Sequence, residues 1–301
     1  MLELEDLCDA LGGKWFNDYG VAPCPVCQPY GPGHGNIGAM RMYYGERKGT
    51  PVFSCFRDGC RWEDITAQLR KMSLWPLRKL EPWEAEELSA RREGKQRERE
   101  VVAARIWNET SPVPGTVVET YLRRRGIDCA IPEAIRYHPN LWHSPSQQKF
   151  PGMVVRTPKG IHRTYLTPMG YKAEVDPAKM MLGPPGPVKL AQNSDRVLIV
   201  AEGIETALST LSGHLLSHFG PATVWAALST STMVGMAPPQ AEPGDTLVIA
   251  ADGDPAGLAA ADSLAQIATE RKWRVFHSPA PMGQDWNDVL RMMSYEKQFS
   301  L

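Results

Sequence analysis

The sequence predicts a mixed α/β protein, with a parallel sheet flanked by helices in its last third and a small cysteine-rich β module near its N-terminus. Two short apolar runs predict the sheet: Val-Leu-Ile-Val-Ala at 197–201 and Thr-Leu-Val-Ile-Ala at 246–250. An apolar helical pattern follows each run, as it does after strands that are buried on both faces of a parallel sheet. Two close pairs of cysteines in the first 60 residues predict the β module.

Acidic residues follow both predicted strands directly. Glu202 comes after the first run, and Asp252 and Asp254 come after the second. In an open α/β sheet, ligands bind at the edge where the parallel strands end. Carboxylates that converge there repel one another unless a cation lies between them, and hard oxygen ligands suit Mg²⁺ or Mn²⁺. The pattern therefore predicts metal-assisted phosphate chemistry, and the alternative is that these acids only cap helices.

A further acidic motif, Gly-Gln-Asp-Trp-Asn-Asp at 283–288, lies between a predicted strand at 273–279 and a predicted helix. A helix cap made by Asn287 or Asp288 explains this motif on its own. The second interpretation is that Asp285 contacts the same metal ion or its water shell. Both interpretations stay open from the sequence.

The two cysteine pairs predict a structural zinc site. Cys24 and Cys27 enclose two residues, whereas Cys55 and Cys60 enclose four. Two such pairs on separate turns provide the four thiolates of a closed tetrahedral Zn²⁺ site. His34 lies between the pairs and is an alternative ligand. The other interpretation is four unpaired buried cysteines. Disulfides are not expected, because the acidic N-terminus has no secretory signal pattern and a reducing, cytoplasmic compartment is expected.

The stretch between the two pairs predicts a β-hairpin with aromatic and basic side chains. Such a surface suits stacking against single-stranded nucleic acid. The alternative is that the aromatic rings pack the interior of a module that has little other core. The residues concerned are Tyr43, Tyr44, Phe53, Arg41, Arg47 and Lys48.

Residues 101–190 combine predicted helices at 101–110 and 116–127 with short strands at 150–168. Basic residues cluster on and after these strands, and they predict a local cationic surface that faces phosphates. This local surface is needed because the 301-residue chain has a net charge of only −1. The basic residues are Arg156, Lys159, His162, Arg163, Lys172, Lys179 and Lys189.

Length and composition predict two or three domains in a soluble protein, because 43% of the residues are hydrophobic but no apolar stretch reaches transmembrane length. We predict four segments. Residues 1–70 form the zinc module, and 71–100 form a linker that leads into a charged, solvated helix. Residues 101–190 form the basic α/β region, and 191–301 form the domain with the parallel sheet.

A Glu after one strand and an Asp-x-Asp after a later strand resemble the Toprim domain, which occurs in DnaG-type primases, topoisomerases, and some nucleases and recombination proteins. A zinc ribbon ahead of this domain resembles the order in DnaG-type primases. Four further stretches are similar to primase-like proteins of phages, plasmids and integrative elements. They are Tyr-Leu-Arg-Arg-Arg-Gly-Ile at 121–127, His-Arg-Thr-Tyr-Leu at 162–166, Lys-x-x-Leu-Gly at 179–183 and Glu-Gly-Ile-Glu-Thr-Ala-Leu at 202–208.

The resemblance implies a Rossmann-like Toprim sheet and a DNA primase that synthesises short primers on a single-stranded DNA template from nucleoside triphosphates. It implies that Glu202, Asp252 and Asp254 are the catalytic carboxylates, which bind Mg²⁺ or Mn²⁺. Arg163 and Lys179 are expected to offset charge on the triphosphate. The template backbone is expected to bind Lys159, Lys172 and Lys189.

The resemblance also bears on partners and on rival functions. Residues 183–189 lack the Gly-Lys-Ser/Thr ending of a Walker A loop, so a replicative helicase is expected to be a separate protein, if one is used. The expected location is the cytoplasm of a bacterial or phage-infected cell. Two alternatives are a Toprim metal-dependent nuclease and a non-catalytic, zinc-dependent accessory protein that binds single-stranded DNA in replication.

Overall fold

The computed structural model describes residues 1–29, 31, 38–45, 49–194, 196–212 and 217–299. Within them the chain forms two compact units, Met1–Lys95 and Gln96–Leu301. This division is coarser than the four segments predicted from the sequence, which stay a prediction.

The first unit is built on a four-stranded antiparallel sheet. Its strands are β1 (Lys14–Phe16), β2 (Tyr19–Ala22), β3 (Met40–Tyr44) and β4 (Pro51–Cys55), which pair in that order. Helices α1 (Leu4–Ala10) and α2 (Trp62–Lys71) accompany the sheet. The antiparallel pairing of β3 with β4 confirms the predicted hairpin.

A small apolar core holds this sheet and its helices together. Leu4 and Leu7 of α1, Met42 of β3, and Ile65 and Leu69 of α2 are all fully buried in one cluster. Burial of a side chain of this size contributes about 1.5–3 kcal/mol each. The module therefore has a hydrophobic core in addition to its cysteines.

The longest helix in the described residues is α3 (Pro82–Asn108), which spans 27 residues and includes the mixed-charge run of the sequence. Most of its side chains are exposed or half-buried, as predicted for a solvated helix. Across the residues that the structure describes, no helix is both long and apolar enough to cross a membrane.

The second unit contains two sheets. After α3 and α4 (Val117–Arg124), the chain forms β5 (Ile135–His143), β6 (Gln148–Arg156), β7 (Ile161–Tyr165) and β8 (Lys179–Leu182). These four strands pair consecutively and antiparallel. The sheet confirms the short strands predicted between 150 and 168. A five-residue connection at 183–187, with three prolines, leads from β8 to the next sheet.

The second sheet has five strands in the order β13-β12-β10-β11-β9. Four strands are parallel, and β9 runs antiparallel along β11 at one edge. The elements are β9 (Val188–Gln192), β10 (Val197–Ala201), α5 (Ile204–Thr210), a 3₁₀ turn (Ser217–Phe219), β11 (Thr223–Ala226), α6 (Thr230–Gly235), β12 (Thr246–Ala250), α7 (Pro255–Glu270), β13 (Arg274–His277) and α8 (Trp286–Phe299). The predicted fold class is confirmed.

Both faces of this sheet are covered, which explains the continuous apolar runs of the sequence. Ile199 and Val248 pack into the core on one face, whereas Leu198 and Ile249 pack into a separate core on the other. Strands β10 and β12 are direct neighbours in register, with Ala201 opposite Ala250. The residues that follow these two strands are therefore delivered to the same edge of the sheet.

Candidate functional site

A cavity of about 240 Å³ opens at the carboxyl edge of the parallel sheet. Acidic side chains come from the loops and the helix that follow the parallel strands. Basic side chains come from the antiparallel sheet, from the connection between β7 and β8, and from the end of α4. The cavity is lined by Arg125, His162, Lys172, Lys179, Glu202, Gly203, Ile204, Glu205, Thr206, Leu228, Asp252 and Asp285. Three of the predicted acids and two of the predicted lysines are thus brought together.

The acids at this edge are close enough to shift one another's ionisation. Burial raises the pKa of Asp252 to about 7, and the negative charges of Glu202 and Asp285 add to the effect. Burial and the charge of Asp254 raise the pKa of Glu202 as well. A divalent cation would relieve this repulsion, and the oxygen-only donor set fits Mg²⁺ or Mn²⁺.

Two of the acids also cap helices, as predicted for Asp254. At α8 the cap is Asp285 rather than Asn287, whose amide donates to Arg125 and Ser209, whereas the Asp288 carboxylate accepts from the Asp285 N–H at 3.3 Å. The exposed Asp254 accepts a hydrogen bond from the Gly257 N–H at 2.7 Å at the start of α7. Asp285 accepts one from the Asp288 N–H at 2.8 Å at the start of α8. Asp285 lines the cavity, whereas Asp254 is not among its lining residues and acts there through its charge. Their contact with a metal ion stays a prediction.

Gly253 allows the two acidic loops to lie against each other. A Cβ at this position would be 2.7 Å from the Ala280 carbonyl oxygen and would collide with the Pro281 carbonyl. Two backbone hydrogen bonds join the loops. The Gly253 N–H donates to the backbone carbonyl of Gln284 at 2.8 Å, and the Gly283 N–H donates to the backbone carbonyl of Gly253 at 2.7 Å. The loop of Asp252 is thereby fixed to the loop of Asp285.

The predicted cations divide between two places. Lys172 and Lys179 line the cavity, where burial and the charge of Lys179 lower the pKa of Lys172. Lys159 is exposed in the turn between β6 and β7, and Lys189 of β9 lies 5.3 Å from the Trp225 ring. Neither of these two lysines is among the described residues that line the cavity.

Arg163 does not reach the carboxylates in this structure. Along β7 successive side chains alternate between faces, and His162 is the one that lines the cavity. The Arg163 guanidinium lies on the other face, 3.5 Å from the Met181 carbonyl oxygen and 5.9 Å from the Tyr165 ring. The expected contact of Arg163 with a triphosphate finds no support in this geometry.

Sequence reasoning missed two charged residues of the cavity, Arg125 and Glu205. Arg125 follows the last residue of α4 and stacks 5.7 Å from the Tyr121 ring. Glu205 is 3% exposed, in a helix whose seven residues are all buried. The sequence contains a signal for both residues, because a charge is unusual in an apolar helical pattern. Arg125 lies at the end of such a pattern, and Glu205 lies within one.

Glu205 is ionised and fully engaged. Tyr121 donates to Oε1 at 2.7 Å, and Lys179 Nζ lies 2.9 Å from Oε2. Burial alone favours the neutral acid, but Lys179 and the Tyr121 hydroxyl outweigh it and hold the pKa of Glu205 far below its usual range. Nearby, burial lowers the pKa of His162 to about 4, so its imidazole is neutral at pH 7.

The first unit contains a separate cluster of four thiols. The sulfur atoms of Cys24, Cys27, Cys55 and Cys60 all lie within 4.8 Å of one another, and those of Cys27 and Cys55 are 3.6 Å apart. A tetrahedral Zn²⁺ ion with bonds of about 2.3 Å places its sulfurs roughly 3.8 Å apart, so the cluster fits one zinc ion. His34 lies outside the described residues.

The backbone around Cys55 favours its thiolate. Burial opposes ionisation, but N–H groups of Asp58, Cys60 and Arg57 outweigh it and lower the pKa of Cys55 to about 6. A thiolate is the form that binds zinc. Cys55 is thus prepared to bind zinc, whereas burial raises the pKa of Cys27 and that of Cys60, so the charge of a bound ion would be needed to ionise them.

The aromatic residues beside this cluster have mixed roles. Tyr44 is 8% exposed, and its hydroxyl lies 3.2 Å from the Glu3 carboxylate, so it belongs to the core. The exposed Arg41 lies 4.2 Å from the Tyr19 ring and 5.5 Å from the Tyr43 ring. Phe53 packs edge-on against Trp62. Arg47 and Lys48 lie outside the described residues.

Comparison with known proteins places two family matches on the second unit. Residues 197–296 match the Toprim domain, and residues 97–190 match a domain of unknown function (DUF7146). No curated protein matches the chain significantly.

Among solved structures, the chain is similar to the zinc-binding and RNA polymerase domains of the Aquifex aeolicus primase, with 15% identity and a TM-score of 0.40. That alignment covers 99% of this chain and 81% of the other. It is also similar to the RNA polymerase domain of the Mycobacterium tuberculosis primase DnaG, with 16% identity, a TM-score of 0.37, and coverage of 67% and 82%.

Residues 197–296, which match the Toprim domain, include the parallel strands β10 to β13 and the acidic edge of the sheet, as Glu202 and the Asp252–Asp254 motif predicted. A cysteine cluster that fits one zinc ion precedes these residues in the chain, which is the order that the sequence predicts. The narrower resemblance to phage, plasmid and integrative-element primases stays a prediction.

We expect Cys60→Ser to release zinc and loosen the first unit, because metal binding and folding are coupled in small modules. Elemental analysis of the purified protein should fall from one zinc per chain to nearly none, and hydrogen exchange should rise in residues 1–70. Cys129→Ser, outside the cluster, is the matched control and should keep its zinc. Equal zinc in both variants would contradict the assignment.

We expect Asp252→Asn to stabilise the protein at pH 8 in the absence of Mg²⁺ and Mn²⁺ by about 1–2 kcal/mol. This free energy is smaller than the full pKa shift implies, because solvent screens the charge of a half-buried group. The pKa of Asp252 is higher in the folded state than in the unfolded state, so the wild type loses stability as pH rises from about 4 to 7. Thermal unfolding should show the variant melting higher at pH 8 and the gap narrowing towards pH 5. A gap that does not depend on pH would contradict the repulsion.

Proposed function

We propose that this protein is a DNA primase, which synthesises short primers on single-stranded DNA by metal-dependent nucleotidyl transfer. One observation carries the proposal: in the Toprim domain, Glu202, Asp252 and Asp285 share a cavity with Lys172 and Lys179. Carboxylates that face cations across one cavity suit a ligand that is both a polyanion and a metal complex, as a nucleoside triphosphate is.

The carboxylates would hold the divalent ions and manage the proton. Asp252, Asp254 and Asp285 are the proposed ligands of Mg²⁺ or Mn²⁺. Such an ion, when bound, supplies positive charge at the phosphates and lowers the pKa of the attacking hydroxyl. Glu202 is the proposed base or organiser of that hydroxyl, and its raised pKa makes it a stronger base than an ordinary carboxylate.

In the reaction, the 3′-hydroxyl oxygen of one nucleotide forms a bond to the α-phosphorus of the next. The bond from that phosphorus to pyrophosphate breaks, and the hydroxyl proton passes to Glu202 or to water. Lys179, Lys172 and Arg125 would offset the negative charge that builds on the leaving pyrophosphate. This assigns Lys172 to the nucleotide rather than to the template, because it lines the cavity.

Contacts with the template would come from outside the cavity. Lys159 and Lys189 are exposed and are the proposed contacts with the template backbone. In the first unit, the exposed Arg41, with the half-buried rings of Tyr19 and Tyr43, is the proposed stacking surface for unpaired bases. The zinc site would keep this surface in shape.

Primer synthesis from scratch tests the proposal. The protein is incubated with single-stranded templates of varied sequence, labelled ribo- and deoxyribonucleotides, and Mg²⁺ or Mn²⁺. We expect short products that disappear with Asp252→Ala, because a proposed ligand of the divalent ion is lost. Asp262→Ala removes an acid that is 78% exposed on α7, and this matched control should keep full activity.

The other outcomes of this assay contradict the proposal and identify its rivals. A degraded template that depends on Asp252 would indicate a Toprim nuclease. Intact template with retained binding but no product would favour the non-catalytic accessory protein.

We expect Lys172→Gln to raise the KM for nucleotide about tenfold while changing the Kd for template less than twofold, since a charged contact to phosphate is lost. Lys159→Gln is the matched comparison. It should weaken template binding and reduce its salt dependence, with an unchanged nucleotide KM. Steady-state kinetics and fluorescence anisotropy measure the two effects. The reverse pattern would move Lys172 to the template.

A further inference from the structure

A buried carboxylate that is separate from the proposed metal ligands forms part of the cavity wall. The carboxylate of Glu205 in α5 accepts a hydrogen bond from the Tyr121 hydroxyl of α4 at 2.7 Å and another from the Lys179 ammonium of β8 at 2.9 Å. One carboxylate therefore connects the parallel sheet's first helix, the antiparallel sheet and α4. Its two oxygens each have a protein partner, so Glu205 is a poor candidate for a metal ligand.

The two ends of this contact differ in their exposure. The side chain of Glu205 is 4% exposed, whereas that of Lys179 is 38% exposed and lines the cavity. The carboxylate is thus sealed in the protein, while the ammonium that it binds faces the open space of Glu202 and Asp252. A lysine side chain has four rotatable bonds, so fixing it in one conformation costs entropy. If the protein already fixes the side chain before a ligand arrives, binding of the ligand does not carry that cost.

We propose that Glu205 is a positioning residue, which holds the Lys179 ammonium in the cavity so that the phosphates of a nucleotide meet a cation already in place. This inference rests on the proposed function for the identity of the ligand. Glu205 then acts on the nucleotide only through Lys179.

A different effect of the same ion pair predicts the opposite result. If Glu205 only neutralised Lys179, its removal would free a positive charge in the cavity and strengthen the binding of phosphates. If Glu205 positions Lys179, its removal lets the side chain disperse and weakens that binding. The sign of the change in nucleotide affinity therefore decides between positioning and masking.

The experiment measures the Kd of the full-length protein for ATP with Mn²⁺ by calorimetry, without template. We expect Glu205→Gln to raise this Kd about three- to tenfold, the range for one side chain that must be ordered on binding. Lys179→Met should raise it at least as much. Adding Glu205→Gln to Lys179→Met should then have no further effect. A lower Kd for Glu205→Gln, or a further rise in the double variant, would overturn the proposal.

Tyr121→Phe separates positioning from support of the fold. It removes one hydrogen bond to Glu205 but leaves the Lys179 contact. We expect a lower melting temperature with less than a twofold change in the Kd for ATP. Equal effects of Tyr121→Phe and Glu205→Gln on that Kd would make Glu205 a structural residue only. If Glu205→Gln does not fold, Glu205→Asp replaces it. The shorter acid keeps the charge but draws Lys179 back, so positioning predicts weaker binding and masking predicts no change.

The ATP measurement also separates this inference from the proposed function. A wild-type protein that binds ATP but makes no primer would contradict primer synthesis, and the Kd values of the variants would still decide the role of Glu205. A wild-type protein that does not bind ATP would overturn both.

Discussion

Carboxylates lie close together at one edge of the parallel sheet and repel one another. The other charged residues of the second unit are arranged around this repulsion. Asp252 and Glu202 follow adjacent strands in register, so the fold does not let them separate. Their pKa values rise, which means that the protein tolerates a partly unfavourable arrangement there. Strained or destabilised groups of this kind are typical of functional sites. Cations line the same cavity: Lys179 of β8, Lys172 of the connection between β7 and β8, and Arg125 at the end of α4.

Much of this site was predictable, because its acids and its cysteines depend on local rules. A buried strand that ends in an acid places that acid at the sheet edge, whatever lies elsewhere in the chain. The spacing of Cys55 and Cys60, with four residues between them, looked unusual, yet the sulfurs meet. Gly59 has a φ of +57° and supplies the left-handed turn that lets the chain double back. His34 lies outside the described residues.

The omission of Glu205 and the choice of Arg163 over His162 have a different cause, which is that β7 and α5 have no polar face. All five residues of β7 are buried, so no alternation in the sequence shows which face meets the cavity. The sequence therefore could not distinguish His162, which lines the cavity, from Arg163, which does not. Glu205 was missed for the same reason, since every residue of α5 is buried and its pattern is that of a core helix. A charge within an apolar pattern marks such a residue as unusual, but its place in the cavity becomes visible only when the two sheets are brought together.

The connection at 183–187 limits how far the cations of one sheet can move from the acids of the other. Its three prolines restrict its backbone, and six steps along the chain from Leu182 to Val188 span at most about 20 Å. The strand that carries Lys179 is thus tied by a short, stiff tether to the sheet that carries Glu202. Lys179 and the carboxylates therefore interact within one molecule at a high effective concentration. If a ligand or a fluctuation separates them, they come together again readily.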